Sequence, residues 1–379
     1  MKVFIFIPWF YPAYKAGGPI QSITNLIVSL EDGYDFYVVT SAYDLNSDTV
    51  LKNIIPDDWN LINLPGSKKK VPVWYTQKKN NYITFKHLLK GYSPGIIYLN
   101  GIFSYNFFLL PLVIKKILAG VTKVIICPRG MLQDGALSDK RIKKKVYLKT
   151  LKGIGLLHKI KWHATNEEEK NDILKYVNTM PDIIVANNIP KSPITPINFI
   201  NKTINDLRLI YLSLITEKKN LLLLLQTIKQ EEHISLDIYG PIKDNLYWMK
   251  CEKLIKQMPG KVNYMGDILP YNVQPILAQY HALVLLTKGE NFGHALYENL
   301  SVGRPIITSK YTPWNNLKDQ YAGWNVDIED ASDCINAFKE LNEMSNEQYI
   351  KFCEGAYKQA CNYYNSMDVN KMYGVLFNE

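Results

Sequence analysis

Apolar runs recur along the first half of the chain at Val3–Ile7, Phe36–Thr40, Ile96–Leu99, Val124–Cys127 and Ile183–Ala186. They are continuous rather than alternating, which predicts interior strands of a sheet covered by helices on both faces. Segments with apolar residues at helical spacing, Pro19–Leu30, Tyr105–Leu118 and Lys140–Leu151, fall between them, so this half predicts an open α/β domain. Pro190, Pro193 and Pro196 then crowd into a stretch that resists both helix and central strand, marking the boundary region. A second α/β series follows. Its expected strands are Arg208–Leu212, Ile234–Tyr239, Val262–Tyr264, Leu283–Leu286 and Pro305–Thr308, with helices from near Asn220, over Leu246–Gln257 and from about His294. The expected division is residues 1–199, residues 200–355, and a terminal segment 356–379 that crosses back to the first domain. A length of 379 residues suits two hydrophobic cores better than one.

Composition narrows the class. A hydrophobic fraction of 47% with 21% charged residues is that of a globular protein and excludes dominant disorder. The formal charge is +9, from 44 Lys and Arg against 35 Asp and Glu, which favours anionic partners. Much of the excess is local: Lys140–Lys161 holds nine basic residues and no acidic one. A solvated helix face, an anionic lipid surface and a polyanionic acceptor all fit that run. No zinc finger, arginine-rich repeat or RNA-binding aromatic motif accompanies it, so no nucleic-acid partner is expected. The five cysteines are scattered without metal or redox spacing, which suits a reducing cytoplasm. The start, MKVFIFIPWFYP, has an apolar run far shorter than a membrane span and is expected to be the first buried strand.

Three constellations point to chemistry. In PWFYPAYKAGGPIQSI, an apolar strand ends and Gly17-Gly18-Pro19 precedes a helix, letting backbone N–H groups approach an anion. A tight turn without a ligand explains the same residues, and the GxGxxG spacing of a dinucleotide site is missing. In LSLITEKKNL, Lys218 and Lys219 follow a strand and precede a helix, where a lysine can meet a diphosphate. The densest is LLTKGENFGHALYENLSVGRPIITSKYTPW: a strand delivers Glu290, the turn Asn291-Phe292-Gly293 enters a helix at His294, and that helix carries Glu298. Unpaired amides at a helix entrance suit phosphate, and carboxylates accept strongly from sugar hydroxyls. His163, in WHATNEEEKNDI, fits either a structural or a catalytic role, with Thr165 or Asn166 capping the helix behind it. No zinc set and no metal-binding Asp-x-Asp pair is evident.

Together these segments resemble the retaining GT-B glycosyltransferases of the bacterial glycosyltransferase family 4 type, nearly along the whole chain. The resemblance rests on Gly17-Gly18, on LITEKKNL, on Glu290 and Glu298 with seven residues between them, and on GRPII with the following TPW. It implies two Rossmann-like domains facing an interdomain cleft, the first on the acceptor side and the second binding a nucleotide diphosphate sugar. Lys219 would neutralise the donor diphosphate, Glu290 would face the donor sugar, and Glu298 would hold the ribose. Phe292, Gly293 and His294 would add backbone amides, Asn291 the turn between the carboxylates, and Pro241 would lie near the base. Gly17 and Gly18 would close over the donor. The chain also departs from the family: Leu214 stands where an arginine is common, and Asn100 where a histidine is common. Arg129, in CPRGM, is the candidate replacement, and Arg129, Asn100 and His163 are further candidates for contacts to diphosphate or acceptor. No cofactor or metal is implied. The donor is a UDP-sugar by default or a GDP-sugar, and the acceptor a saccharide or lipid-linked saccharide of cell-surface glycan synthesis, at the inner face of the cell membrane. The competing readings are a noncatalytic basic module that binds nucleic acid or another polyanion, and a nucleotide-sugar epimerase.

Overall fold

The computed structural model describes residues 1–118, 122–133, 141–177 and 181–378. The chain divides into two compact units, Met1–Ile189 with Asp368–Glu379, and Pro190–Met367. The division thus falls before the proline cluster, and the chain returns to the first unit with its last helix.

The first unit is built on eight strands: β1 (Lys2–Phe6), β2 (Asp35–Ser41), β3 (Trp59–Asn63), β4 (Lys70–Thr76), β5 (Ile96–Asn100), β6 (Lys123–Cys127), β7 (Lys161–Ala164) and β8 (Asp182–Val185). Their order is β3-β4-β2-β1-β5-β6-β7-β8. Only the β3–β4 pair is antiparallel. Consecutive residues of β1 feed opposite cores, as a period of two requires. Val3 and Ile5 pack with α1 (Gly18–Leu30) and with the terminal helix Val369–Asn378, through Tyr373, Leu376 and Phe377. Phe4 and Phe6 pack on the other face with α2 (Tyr82–Tyr92) and α3 (Leu110–Leu118). Both faces are covered, which is why β1 reads as an unbroken apolar run. The basic helix α4 (Arg141–Gly153) buries Leu148 and Leu151 and leaves Ile142 and Val146 79% and 57% exposed. Lys140, the first residue of the basic run, lies outside the described residues. In α5 (Glu167–Val177), the Asn166 side chain accepts from the Glu169 N–H at 2.7 Å, and three glutamates occupy the first turn.

The second unit has six strands: β9 (Leu207–Leu212), β10 (Ile234–Tyr239), β11 (Val262–Gly266), β12 (Ala282–Leu285), β13 (Ile306–Ser309) and β14 (Gly323–Val326). They are ordered β11-β10-β9-β12-β13-β14 and all parallel. The helices α6 (Leu221–Lys229), α7 (Asn245–Ile255), α8 (Val273–Leu277), α9 (His294–Ser301), α10 (Ala331–Glu343) and α11 (Asn346–Asn365) complete one continuous core with them. The last helix of the chain, α12 (Val369–Asn378), belongs to the first unit. Among the described residues no helix is long and apolar enough to cross a membrane.

Candidate functional site

In the second sheet β9, β10 and β11 wind one way and β12, β13 and β14 the other. The winding reverses between β9 and β12, and ligands of open α/β sheets bind outside the carboxyl ends of strands at such a point. The two loops that leave these carboxyl ends carry the expected residues. After β9, Glu217–Lys219 form a short 3-10 turn, and after β12 the chain runs through Thr287–Gly293 into α9. The loops are laced together: the Lys288 N–H donates to the Lys218 carbonyl at 2.8 Å, and the Lys219 ammonium donates to the Glu290 carboxylate. Glu290 is anchored through its own N–H on the Tyr311 carbonyl at 2.9 Å, and Trp314 Nε1 donates to the Phe292 carbonyl at 2.7 Å.

Burial opposes ionisation of Glu290, but the adjacent Lys219 ammonium outweighs it and holds the carboxyl below the usual range. The pair is therefore a preformed charge couple at the mouth of the loops. Gly293 takes φ +77 as the cap of α9, so His294 opens the helix and its first amides have no intrahelical acceptor. One and a half turns on, Glu298 is 4% exposed and pairs with Lys191 at 3.1 Å. Pro241 follows Gly240 at the end of β10, where its carbonyl accepts from the Ile215 N–H at 3.0 Å, next to Leu214. The structure thus gathers Lys219, Glu290, Asn291, Phe292, Gly293 and His294 on the β9 and β12 loops. Glu298 lies behind them on α9, and Pro241 on the neighbouring β10 loop.

In the first sheet, Gly17 adopts φ 69 and ψ −125, a conformation open to glycine, and Gly18 begins α1. The loop before it is held by Asp44, whose carboxylate accepts from the Tyr14, Lys15 and Leu45 N–H groups at 2.7–3.3 Å. Beyond β6, Arg129 donates through Nε to Asn100 Oδ1 at 3.0 Å and through its two terminal nitrogens to Asn188 Oδ1 at 2.5 Å and Tyr98 Oη at 3.0 Å. Tyr98 Oη is 2.6 Å from His163 Nδ1, and His163 Nε2 is 2.7 Å from the Ala186 carbonyl. The carbonyl must receive a proton, so Nε2 donates and Nδ1 accepts from the tyrosine. Burial, and then the Arg129 charge, push the His163 pKa down to about 3, so the ring is neutral. His163 is fully buried with both nitrogens engaged. It therefore supports Tyr98, and through it Arg129, from behind. Asn100, 2% exposed, likewise positions Arg129.

Residues 197–359 match the family described as Glycosyl transferases group 1. That match lies within the second unit, and the fold of the chain is GT-B. Solved structures similar to it along its whole length include HepE of Anabaena in complex with UDP and glucose, at 12% identity and TM-score 0.71, covering 100% of this chain and 99% of that one. Sucrose-phosphate synthase of Thermosynechococcus elongatus gives 14% and 0.74, with coverage of 100% and 98%. The lipopolysaccharide outer core galactosyltransferase WaaB gives 17% and 0.62, with coverage of 100% and 99%. No curated protein matches the sequence. Lys191, Tyr98, Asn188 and Asp44, which contact the expected residues or their loops, were missed by sequence reasoning. Lys191 and Asn188 sit in the proline-rich stretch that the sequence marks only as a boundary region. Trp314 was visible inside the TPW motif, though not its hold on the Phe292 carbonyl. Among the described residues no three His, Cys, Asp or Glu side chains converge as a metal-binding set.

Proposed function

We propose that this protein is a glycosyltransferase that moves a sugar from a UDP-sugar to a saccharide or lipid-linked saccharide acceptor with retention of anomeric configuration. The observation that carries this reading is the Lys219–Glu290 couple beside the open start of α9, with Glu298 farther along the same helix. Lys219 and the first amides of α9 stabilise the diphosphate as negative charge develops on it. Glu290 accepts from hydroxyls of the transferred sugar and Glu298 from those of the ribose. Pro241 bounds the base. The sugar C1–O bond to the diphosphate breaks, the acceptor oxygen bonds to C1 on the same face, and its proton passes to the departing phosphate. No protein nucleophile is needed. Solved structures of similar fold bind UDP or UDP-glucose, which supports the uridine donor over its guanosine competitor.

The test is calorimetric titration of UDP- and GDP-sugars, followed by NMR of the glycoside formed on cell-envelope acceptors. A product of inverted configuration, or conversion of the free donor without an acceptor, refutes the reading. Glu298→Gln is expected to raise the UDP dissociation constant about tenfold, the scale of one charge-assisted hydrogen bond. An unchanged constant removes Glu298 from the ribose.

The acceptor side is proposed to work at the inner face of the cell membrane, with α4 as the docking helix. Ile142 and Val146 stand one turn apart among exposed Lys143, Lys145 and Lys149, with Ile154 exposed beyond the helix end. This face combines apolar insertion with cationic attraction, worth about 1 kcal/mol per lysine near an anionic surface. The five free cysteines fit a reducing compartment. Changing Lys143, Lys144 and Lys145 together to Glu is expected to abolish sedimentation with phosphatidylglycerol vesicles and to spare transfer to a soluble acceptor. Equal sedimentation of both proteins defeats the assignment.

A further inference from the structure

In the first sheet the winding reverses between β1 and β5, because β1 pairs with β2 on one side and β5 on the other. Asn100 ends β5 and Arg129 follows the adjacent β6, so both stand at the carboxyl edge beside that switch point. Arg129 is held with φ +55, a left-handed conformation that costs a residue with a side chain and persists where the surroundings impose it. Its side chain is bonded to Asn100, Asn188 and Tyr98, all through neutral oxygens.

The charge of Arg129 is left uncompensated by these partners. Among the described residues no carboxylate lies within ion-pairing distance of its guanidinium. Glu169 acts on it electrostatically but makes no direct bond to it; its oxygens accept from the Gly130 N–H at 2.6 Å and from the Thr165 N–H and hydroxyl at 2.8 Å each. In the second unit, by contrast, Lys219 faces Glu290 and Lys191 faces Glu298. A guanidinium has five N–H groups, and the three bonds above leave others for a ligand. Arg129 retains partial exposure whereas Tyr98, Asn100 and Asn188 are buried. A guanidinium hydrogen-bonded directly only to neutral oxygens, with N–H groups to spare and an exposed side, is a site that an anion from outside completes.

We infer that Arg129 binds an anionic oxygen group of the acceptor, a phosphate or a carboxylate, through the remaining edge of its planar fork. The inference rests on the transferase reading for the word acceptor, and on the geometry of the first unit for the anion. An acidic acceptor is thereby distinguished from a neutral one by a charge fixed before it arrives.

The test is titration of inorganic phosphate and of glucuronate, each into the full chain held at saturating UDP so that the second unit's phosphate site is filled. Wild type is expected to bind one or both, Arg129→Gln to bind at least tenfold more weakly, and UDP affinity to be the same in both proteins. Binding of phosphate alone identifies a phosphorylated acceptor, and binding of glucuronate alone a uronic one. Asn100→Asp keeps the size of the support and sets a carboxylate against the guanidinium. It is expected to abolish anion binding even if Arg129→Gln fails to fold. Absence of binding by wild type overturns the inference, as does undiminished binding by the variants. A fall in UDP affinity on loss of Arg129 overturns it too, since it assigns the cation to the donor. If wild type binds no UDP, the transferase reading fails instead, and the anion titration repeated without nucleotide still decides the fate of Arg129.

Discussion

Lys219→Ala is expected to lower kcat on the order of a hundredfold, about 3 kcal/mol, the scale of removing one preorganised electrostatic donor to a developing negative charge. Two effects combine in that number. The diphosphate loses its ammonium partner in the transition state, and Glu290 loses the neighbour that holds its carboxyl below the usual range against the cost of burial. The second effect has a defined sign. A carboxyl whose folded pKa is depressed adds stability that is present above the unfolded value and is lost as pH falls through the folded value. The variant should therefore lose stability at neutral pH and show less further loss on acidification than wild type. Comparing Lys219→Ala and Glu290→Gln with the double variant in a mutant cycle separates the two contributions. Turnover unchanged in folded Lys219→Ala ends the diphosphate assignment.

How much of this was legible in sequence follows from which interactions are local. β1, β5 and β9 were readable because helices cover both of their faces, so their interior positions form nearly unbroken apolar runs, interrupted only by Lys2, Asn100 and Arg208. β3 and β4 were not: Lys70 and Pro72 open β4, and Pro72 is tolerated because it pairs with Leu61 of the edge strand before the β2 ladder begins at Val73. β7 was hidden for another reason. Its four residues include a lysine and a histidine, and only the fold shows that His163 is neutral, buried and hydrogen-bonded at both nitrogens. The Glu290–Glu298 segment was legible because one strand, one turn and one helix suffice to build it. The support of Arg129 was not, because Tyr98, Asn100 and Asn188 arrive from β5 and from beyond β8, and no spacing rule links them to CPRGM. Lys191 escaped notice for the same reason, since its partner Glu298 lies on a helix far along the chain.

Gly293→Ala is expected to cost about 3 kcal/mol of stability, as the sum of left-handed strain and overpacking. Gly293 has φ +77, and a Cβ added there would stand 2.8 Å from Leu296 Cδ1 and 3.1 Å from Glu290 Cγ. Leu296 is fully buried and has nowhere to retreat, so Glu290 or the entrance of α9 must move. Either movement disturbs the groups proposed to hold the donor. In thermal unfolding the melting temperature should fall by roughly 6–12 °C, given the size of the unit that carries the change. The UDP dissociation constant should rise at least tenfold. Gly260 supplies the control: it has φ +74, but a Cβ there meets nothing within 4 Å. Gly260→Ala therefore carries the backbone strain alone, about 1 kcal/mol, and should leave UDP binding as it was. Equal melting shifts in the two variants, with UDP affinity unchanged in both, would show that the close approach of Gly293 to Leu296 and Glu290 does not shape the donor site. A larger shift confined to Gly293→Ala, with weakened UDP binding, ties the glycine to the carboxylate beside it.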